Sequence, residues 1–465
     1  MMIGSIKPVL FYTDILLFLL IAVIVSYFIY ARRHEHLVAP WKRLAKSSVA
    51  MASLAILLMY LFIAVTDSMH FKKAQPSGPL SEVQSVFDVI IKPFTHKTEK
   101  TYSAPFATTL FSKETIDQPD GTIVRTFPDL EFGGSHLQPG DSKTLDIAYR
   151  ASIGANWGIL ASIILLLLLT WRIRCKQSCS YGSAIARLLT NKLASRWRAL
   201  WLSFSVMFVL FGIVAELSLV YHVLGTDKIG VSVLYQGVKS IRTGILIGTL
   251  TTLVMLPFAI IMGIASGYAR GIIDDIIQFI YTTLNSIPGV LLIASVILML
   301  QVYLDNNADS NTSLLERADM RLLFLCMVLG LTSWTGLCRY LRAESLKLRE
   351  MDYIAAARSM GVGHVTILHR HILPNVMHIV LITVVLDFSG LVLAEAVLAY
   401  VQIGVDPTTE SWGNMINSAR LEMARDPVVW WSLTAAFFFM LTLVLAANLF
   451  SDAVRDALDP RSQHD

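Results

Sequence analysis

The sequence predicts an all-α protein that crosses a membrane many times, and three observations carry that reading. Of its 465 residues, 55% are apolar and only 15% are charged, with a mean hydropathy of +0.60; soluble domains carry about 25% charged residues. The apolar residues gather into long uninterrupted blocks, and a helix needs about 20 of them to cross a bilayer. The Lys and Arg residues flank those blocks, so the net charge of +4 and pI near 8.7 reflect topology, not a surface for nucleic acid. Cys175, Cys179, Cys326 and Cys338 follow neither a disulfide nor a zinc spacing.

Nine stretches are long enough, or nearly so: 9–30, 48–66, 153–171, 200–224, 244–267, 276–304, 322–341, 376–401 and 428–451. The first has the position of a signal peptide but lacks a strong basic start and a small-residue cleavage site, so it is expected to remain as a helix. After it come Arg32, Arg33, Lys42, Arg43 and Lys46 against Glu35 alone. After the third come seven Lys and Arg between Arg172 and Arg198, with no acid. Both loops belong on the cytoplasmic side, which puts the N-terminus outside and the C-terminus inside. The acidic 303–321 loop (Asp305, Asp309, Glu316, Asp319) falls outside in the same count. The 268–275 loop, where Arg270 faces Asp274 and Asp275, is the one weak disagreement.

Residues 67–152 are a different material, with seven prolines from Pro76 to Pro139 and the turn signals Pro119-Asp120-Gly121 and Pro139-Gly140-Asp141. Between them lie short β-type runs, Thr122-Ile123-Val124 and Leu145-Asp146-Ile147-Ala148-Tyr149. A small external β-rich domain is expected here, in preference to a loose loop. The chain then divides into 1–66 with two helices, the external 67–152, and 153–199 with a third helix and basic loop. A six-helix core over 200–451 and a tail at 452–465 complete it.

The most informative loop is 342–375, between the seventh and eighth spans. Asp352-Tyr353-Ile354-Ala355-Ala356-Ala357-Arg358-Ser359 reads as a helix, and Gly361 and Gly363 break it, because glycine takes the left-handed conformation a sharp reversal needs. A second short helix should follow, ended by Pro374 just before the next span. Two short helices joined at small residues make a knob that another protein can grip.

This segment resembles the cytoplasmic "EAA" loop of importer-type ABC transporter permeases, and the chain around it resembles the dipeptide/oligopeptide/nickel subfamily. His222-Val223-Leu224-Gly225-Thr226-Asp227-Lys228-Ile229-Gly230 is similar to the segment after the family's first core helix. Gly267-Tyr268-Ala269-Arg270-Gly271 with Asp274 and Ile287-Pro288 is similar to its next loop. Leu393-Ala394-Glu395-Ala396-Val397-Leu398 with Gly404-Val405-Asp406-Pro407 and Trp412-Gly413, and Asn448-Leu449-Phe450-Ser451-Asp452 with Arg455-Asp456 and Leu458-Asp459-Pro460-Arg461, match its later motifs. The likeness covers about 200–461 in the right order and is nearest to the second, "C"-type, permease. Two departures stand out: Ala355 replaces the glutamate that opens the family's triplet, and Val231-Ser232 replaces its Arg-Asp. Residues 1–199 have no counterpart in the six-helix plan.

The resemblance implies a type I importer: two homologous permeases, two ABC ATPases and a periplasmic or lipid-anchored peptide-binding protein, in the inner membrane. No Gly-x-x-x-x-Gly-Lys-Ser/Thr occurs, so no nucleotide site is expected on this chain, and ATP and Mg would sit on the partner ATPases, with no other cofactor. Asp352, Tyr353, Ala355, Ala356, Ala357, Gly361, Gly363 and Pro374 are the expected ATPase-coupling residues. Asp387 and Glu395, eight residues apart on one span, should face the bundle interior, a partner or water; with Asp227 they are the candidate pathway or interface residues. For Glu395 a polar anchor is the stronger reading. His364, His369 and His371 lack the spacing of a metal site. The competing functions are an ion-coupled secondary carrier, which would use Asp387 and Glu395 without an ATPase, and a permease for nickel chelates or antimicrobial peptides.

Overall fold

The computed structural model of the chain describes residues 6–73, 83–95, 97–117, 123–138, 140–177, 180–190, 196–306 and 313–458. The turn signal at 119–121, Cys179 and Asp459-Pro460-Arg461 lie outside these residues. Its elements run β1 (Ile6–Val9), α1 (Tyr12–Ala31), α2 (Glu35–Leu44), α3 (Ser48–Asp67), β2 (His70–Lys73), β3 (Gln84–Ser85), α4 (Val86–Thr95), β4 (Glu114–Asp117) and β5 (Ile123–Thr126). There follow α5 (Lys143–Gln177), α6 (Tyr181–Leu189), α7 (Trp197–Ser218), α8 (Val233–Ala269), α9 (Ile272–Ser286), α10 (Gly289–Asn306) and α11 (Leu314–Arg349). The last are α12 (Asp352–Ser359), α13 (His364–Ile367), a π-helical turn (Leu368–Ile372), α14 (Leu373–Tyr400), α15 (Trp412–Glu422) and α16 (Trp431–Leu458).

Among the described residues, eight helical runs are long and apolar enough to cross a membrane: α1, α3, α5, α7, α8, α11, the run His364–Tyr400, and α16. The sixth expected span is not one straight helix. α9 and α10 meet at 87°, because Pro288 has no N–H to continue the ladder and forces Ile287 into extended backbone (φ −90°, ψ 130°). Several helices also outrun their apolar blocks. The run Leu145–Tyr149, expected as β, is the first part of α5: it propagates from an apolar span already helical, with Asp146 and Arg150 paired one turn apart at 3.1 Å.

The chain forms two compact units. Unit 1 comprises residues 1–9, 34–243 and 410–453. In it α7 packs between α3 and α5, and the α5–α7 seam is backbone against backbone. A Cβ at Gly154 would fall 2.4 Å from Gly212 O, and one at Gly158 would fall 2.4 Å from Val209 Cα. Small residues four apart permit this approach. Two small sheets belong to the same unit. Antiparallel β1–β2 pairs Ile6 with Lys73 and Val9 with His70, β3 adds to β2, and β4–β5 form a separate hairpin. The sheet therefore recruits residues before the first span, which the expected 67–152 boundary left out.

Unit 2 comprises 10–33, 244–409 and 454–465. Leu17 of α1 is buried with Leu246, Leu250, Ile293, Leu322 and Leu325 from α8, α10 and α11. At one end Arg270 pairs with Glu350 at 2.7 Å; at the other, Thr13 N donates to Asp319 and Arg321 meets Asp406 at 3.5 Å. α9 starts beside the first group, and α10 ends just before α11 starts beside the second. The bent pair thus makes one net crossing.

The α5–α7 seam yields a direct test. Gly158→Leu must displace α7 backbone, an overpacking cost of about 1–3 kcal/mol. A fall of several degrees in Tm of the detergent-purified protein is expected. Gly182→Leu, where a Cβ meets nothing within 4 Å, should leave Tm unchanged; equal Tm values for both variants would contradict the seam.

Candidate functional site

The segment between α11 and α14 folds as an elbow. Ile354 and Ala357, three residues apart on α12, are buried with Ile367, Ile372 and Val376 against Tyr268, Trp334 and Leu341. The opposite face of α12 carries Asp352, Tyr353, Ala355, Ala356 and Arg358, all exposed. Ala357 is thus an inward residue, unlike its two neighbours. α12 ends in a paired closure: Gly361 (φ +76°) donates to Arg358 O and Val362 to Ala357 O, at 3.0 and 3.1 Å. This satisfies two carbonyls that a helix end leaves free. Around Gly361 a Cβ would meet nothing within 4 Å, so the turn is open to an approaching surface. Gly363 precedes α13 as its N-cap.

Pro374 does not end the second short helix. The helical run continues from His364 to Tyr400 through the π-turn 368–372. A π-turn carries one extra residue, which makes room for the proline ring, and Asn375 Nδ2 donates to His371 O at 2.7 Å within it. Asn375 Nδ2 also reaches Tyr353 Oη at 3.2 Å, linking the turn to α12.

The elbow rests on the turn between α8 and α9. Tyr268 Oη lies 2.8 Å from His364 Nδ1, the Arg358 guanidinium sits 5.6 Å over the Tyr268 ring, and Arg349 donates to Tyr268 O at 2.9 Å. Next to it Asp274 receives Arg342 in a two-pronged pair, both bonds 2.7 Å, and Gln278 at 2.9 Å. A forked pair of this kind fixes orientation as well as distance. The elbow is therefore joined to α8, α9 and α11 as well as to α14.

Two outward residues escaped the sequence reading. Met360 and Val365 are 77% and 78% exposed on either side of Gly361. Both are large apolar side chains held out beside the glycine turn. The signal was present as two apolar residues in an otherwise polar, Gly-rich stretch. Tyr268 was visible only as part of a motif, since its partner His364 lies 96 residues away.

The remaining candidates lie elsewhere. Asp387 is half-buried and Glu395 is 3% exposed, two turns further along α14. Asp227 belongs to unit 1, where it closes its own loop. Its carboxylate accepts from Ile229 N, Val231 N and Gln236 Nε2 at 2.7–2.9 Å.

That loop, 219–232, is the seat of the segment 97–137. Glu99 accepts from the N–H groups of Glu131, Phe132 and Gly133 at 3.0 Å and meets His222 Nε2 at 3.2 Å, while its own N–H donates to Gly230 O. Thr226 Oγ1 donates to Thr101 O, and Trp431 Nε1 to Thr226 O, both at 2.9 Å. Burial alone raises the Glu99 pKa, but the His222 and backbone hydrogen bonds outweigh it and hold the carboxyl at about 2.

Comparison with known proteins agrees with the motifs. The family described as "Binding-protein-dependent transport system inner membrane component" matches residues 255–464. The dipeptide transport system permease protein of Lactococcus lactis subsp. cremoris is 29% identical over 244 residues, 52% of this chain and 65% of that protein. The glutathione transport system permease protein of Pectobacterium atrosepticum is 30% identical over 240 residues, covering 52% and 73%. The oligopeptide transport system permease protein of Mycobacterium tuberculosis is 31% identical over 242 residues, covering 52% and 77%. The chain thus spans about two thirds to three quarters of these relatives' lengths, using half of its own.

The Glu99 cradle predicts an acid-sensitive step. A carboxyl near 2 when folded and about 4.3 when unfolded adds stability that is full above the unfolded value and is lost as pH falls toward 2. Wild type should exceed Glu99→Gln in Tm at pH 6, by the equivalent of about 2 kcal/mol, and the gap should close progressively below pH 4. A gap independent of pH would show that the charge contributes nothing.

Proposed function

Because the chain belongs to the family of binding-protein-dependent transport system inner membrane components, we propose that it is the membrane-spanning permease subunit of an ATP-driven importer of di- and oligopeptides. The peptide substrate is supported by relatives named for dipeptide and oligopeptide transport. The proposed partners are a second homologous permease, two ABC ATPases that carry ATP and Mg, and a peptide-binding protein outside. The basic loops support an orientation with the elbow and C-terminus in the cytoplasm and the N-terminus and residues 67–152 outside.

The observation that carries the reading is the elbow itself. Its inner face is locked into the core by Ile354, Ala357 and Ile367, all nearly or fully buried, while its outer face offers small residues, an open glycine turn and Met360 and Val365. Such a body transmits displacement without chemistry. When the ATPases close, a surface seated on the elbow moves it, and the Tyr268–His364 and Arg342–Asp274 links carry that motion into α8, α9 and α11. ATP hydrolysis then biases two arrangements of the spans, because interfaces of packed helices shift between discrete states.

Gly361→Asp tests the assignment cleanly. Aspartate tolerates the left-handed conformation better than most residues, and nothing within 4 Å blocks a Cβ, so the variant should insert and keep a Tm near wild type. In proteoliposomes with the full complex, uptake should drop by at least about a hundredfold, because a charge must be desolvated in the docked contact. Normal uptake would sink the coupling role. The ion-coupled carrier makes the opposite forecast: uptake would survive Gly361→Asp and collapse in Asp387→Asn or Glu395→Gln.

The external segment is proposed to contact the binding protein or the outer face of the partner permease. Deleting it would strip His222, Thr226 and Gly230 of their partners, so surface variants are the better probe. Ile123 and Phe127, exposed at and beside β5, should right-shift the half-saturation for binding protein when changed to Asp and Ser, with an unchanged maximum. An unchanged curve for both would remove the β4–β5 hairpin from the docking surface.

A further inference from the structure

We propose that α2 and α6, the short helices that lead into α3 and α7 of unit 1, form a docking ledge for the headgroups of anionic phospholipids. The charge pattern comes first. Residues 38–47 and 171–198 contain ten Lys and Arg and no Asp or Glu, although acids and bases nearly balance over the whole chain, 34 against 38. Orientation alone needs only a surplus of cations in a loop. It does not require that they be gathered on one built surface.

Among the described residues, the structure gathers these cations on one surface. Arg196, at the start of α7, donates its N–H to Ala45 O at 2.8 Å and its Nε to Lys46 O at 3.4 Å, which ties the end of α2 to α7. Trp197 then packs both on the Met51–Ala55–Leu200 cluster and on the Ile173–Ala184–Leu188 cluster. The ends of α2 and α5, the helix α6 and the start of α7 are thus one continuous patch. α6 turns Ala184 and Leu188 fully inward and leaves Arg187 and Leu189 outward; α2 buries Leu44 and leaves Trp41, Lys42 and Arg43 outward. Arg172, Arg174 and Arg198 are exposed on the same patch, and Arg174 stacks on the Tyr181 ring at 4.3 Å.

The composition of the outer face selects the partner. Trp41, Trp171 and Tyr181 stand exposed among the cations, and aromatic rings of this kind settle at the headgroup level of a bilayer. Apolar and cationic groups on one short amphipathic helix are the two signals that favour an anionic interface. Directly along α5, Leu167 and Leu168 are exposed, so the patch continues into the surface that faces lipid tails. A ledge at that boundary meets headgroups before it can meet a soluble protein.

The test uses the complete transporter reconstituted in phosphatidylcholine nanodiscs with phosphatidylglycerol titrated in. Spin-labelled phosphatidylglycerol and phosphatidylcholine report the association of each lipid with the protein. Wild type should favour phosphatidylglycerol severalfold, and 0.5 M salt should weaken that preference, since exposed charges are screened. The variant Arg43→Gln/Lys46→Gln/Arg174→Gln/Arg198→Gln should approach no preference, with Tm in phosphatidylcholine unchanged. A charge-keeping set (Arg43→Lys, Lys46→Arg, Arg174→Lys, Arg198→Lys) should restore it. No preference in wild type, or an undiminished one in the neutralised variant, overturns the proposal. So does a variant that keeps the lipid preference but loses ATPase assembly, because the ledge would then serve a protein.

Discussion

Unit 2 depends on how closely α8 and α11 approach. A Cβ at Gly263 would sit 2.8–2.9 Å from Leu341 and Cys338, and one at Gly267 would sit 2.6 Å from Arg342 O and from Ser345. Without side chains there, the two backbones meet directly, and packing energy that falls off within about an ångström is kept along the seam. That register has consequences beyond stability. It delivers Tyr268, one residue after Gly267, to the point where Arg349 of α11 can hold its carbonyl and His364 its hydroxyl. It also sets Arg342 against Asp274 on α9. The elbow is positioned by a steric constraint two turns away from it, and a side chain added at Gly267 would disturb a link without touching the elbow.

Unit 1 uses a different device for the same end. Its additional segment is built mainly on hydrogen bonds to loop backbone: Glu99 to three consecutive N–H groups, Thr226 to Thr101 and Ser103, Gly134 to Val220. The apolar content of 97–137 is too small to order it alone. Fastening to the 219–232 loop supplies the missing constraint. The price is specificity: a Cβ at Gly230 would fall 1.8 Å from Glu99 O, so the loop and the segment accept each other only with glycine there. Extension and core loop are therefore a single structural element, although the motif His222–Gly230 reads in the sequence as part of the core alone.

Legibility followed the range of the underlying interaction. The spans were readable because hydrocarbon thickness imposes a local length and composition. Their polar extensions were not, because residues 143–152 and 233–243 lie beyond the apolar window and become helical by propagation from it. The short α12 and the reversal at Gly361 were readable from the Ala run and the glycine. The π-turn was not, since Pro374 states only that the ladder must change, not how. Pairing of β1 with β2 joins residues far apart in the chain, from Val9 with His70 to Ile6 with Lys73, and no local pattern announces it. The Gly154-x-x-x-Gly158 spacing was legible and went unread; its role emerges only with Gly212 opposite.

The substitution at Ala355 gains meaning from this geometry. Where the family has a glutamate, this chain has a methyl group on the exposed face of α12. A glutamate at that position would offer a polar contact on the proposed docking surface, reinforced by favourable placement near the start of a helix. Its absence leaves Asp352 and Arg358 as the charged residues of α12, and Arg358 already lies over Tyr268. In the proposed docking role, recognition would then rest more heavily on shape and on the exposed apolar pair Met360 and Val365. Apolar contact is short-ranged and unscreened by salt, whereas exposed ion pairs add little and fade with ionic strength. In the proposed coupling role, a surface of this composition would follow an ATPase through close fit, which a methyl group at 355 and an open glycine turn at 361 favour.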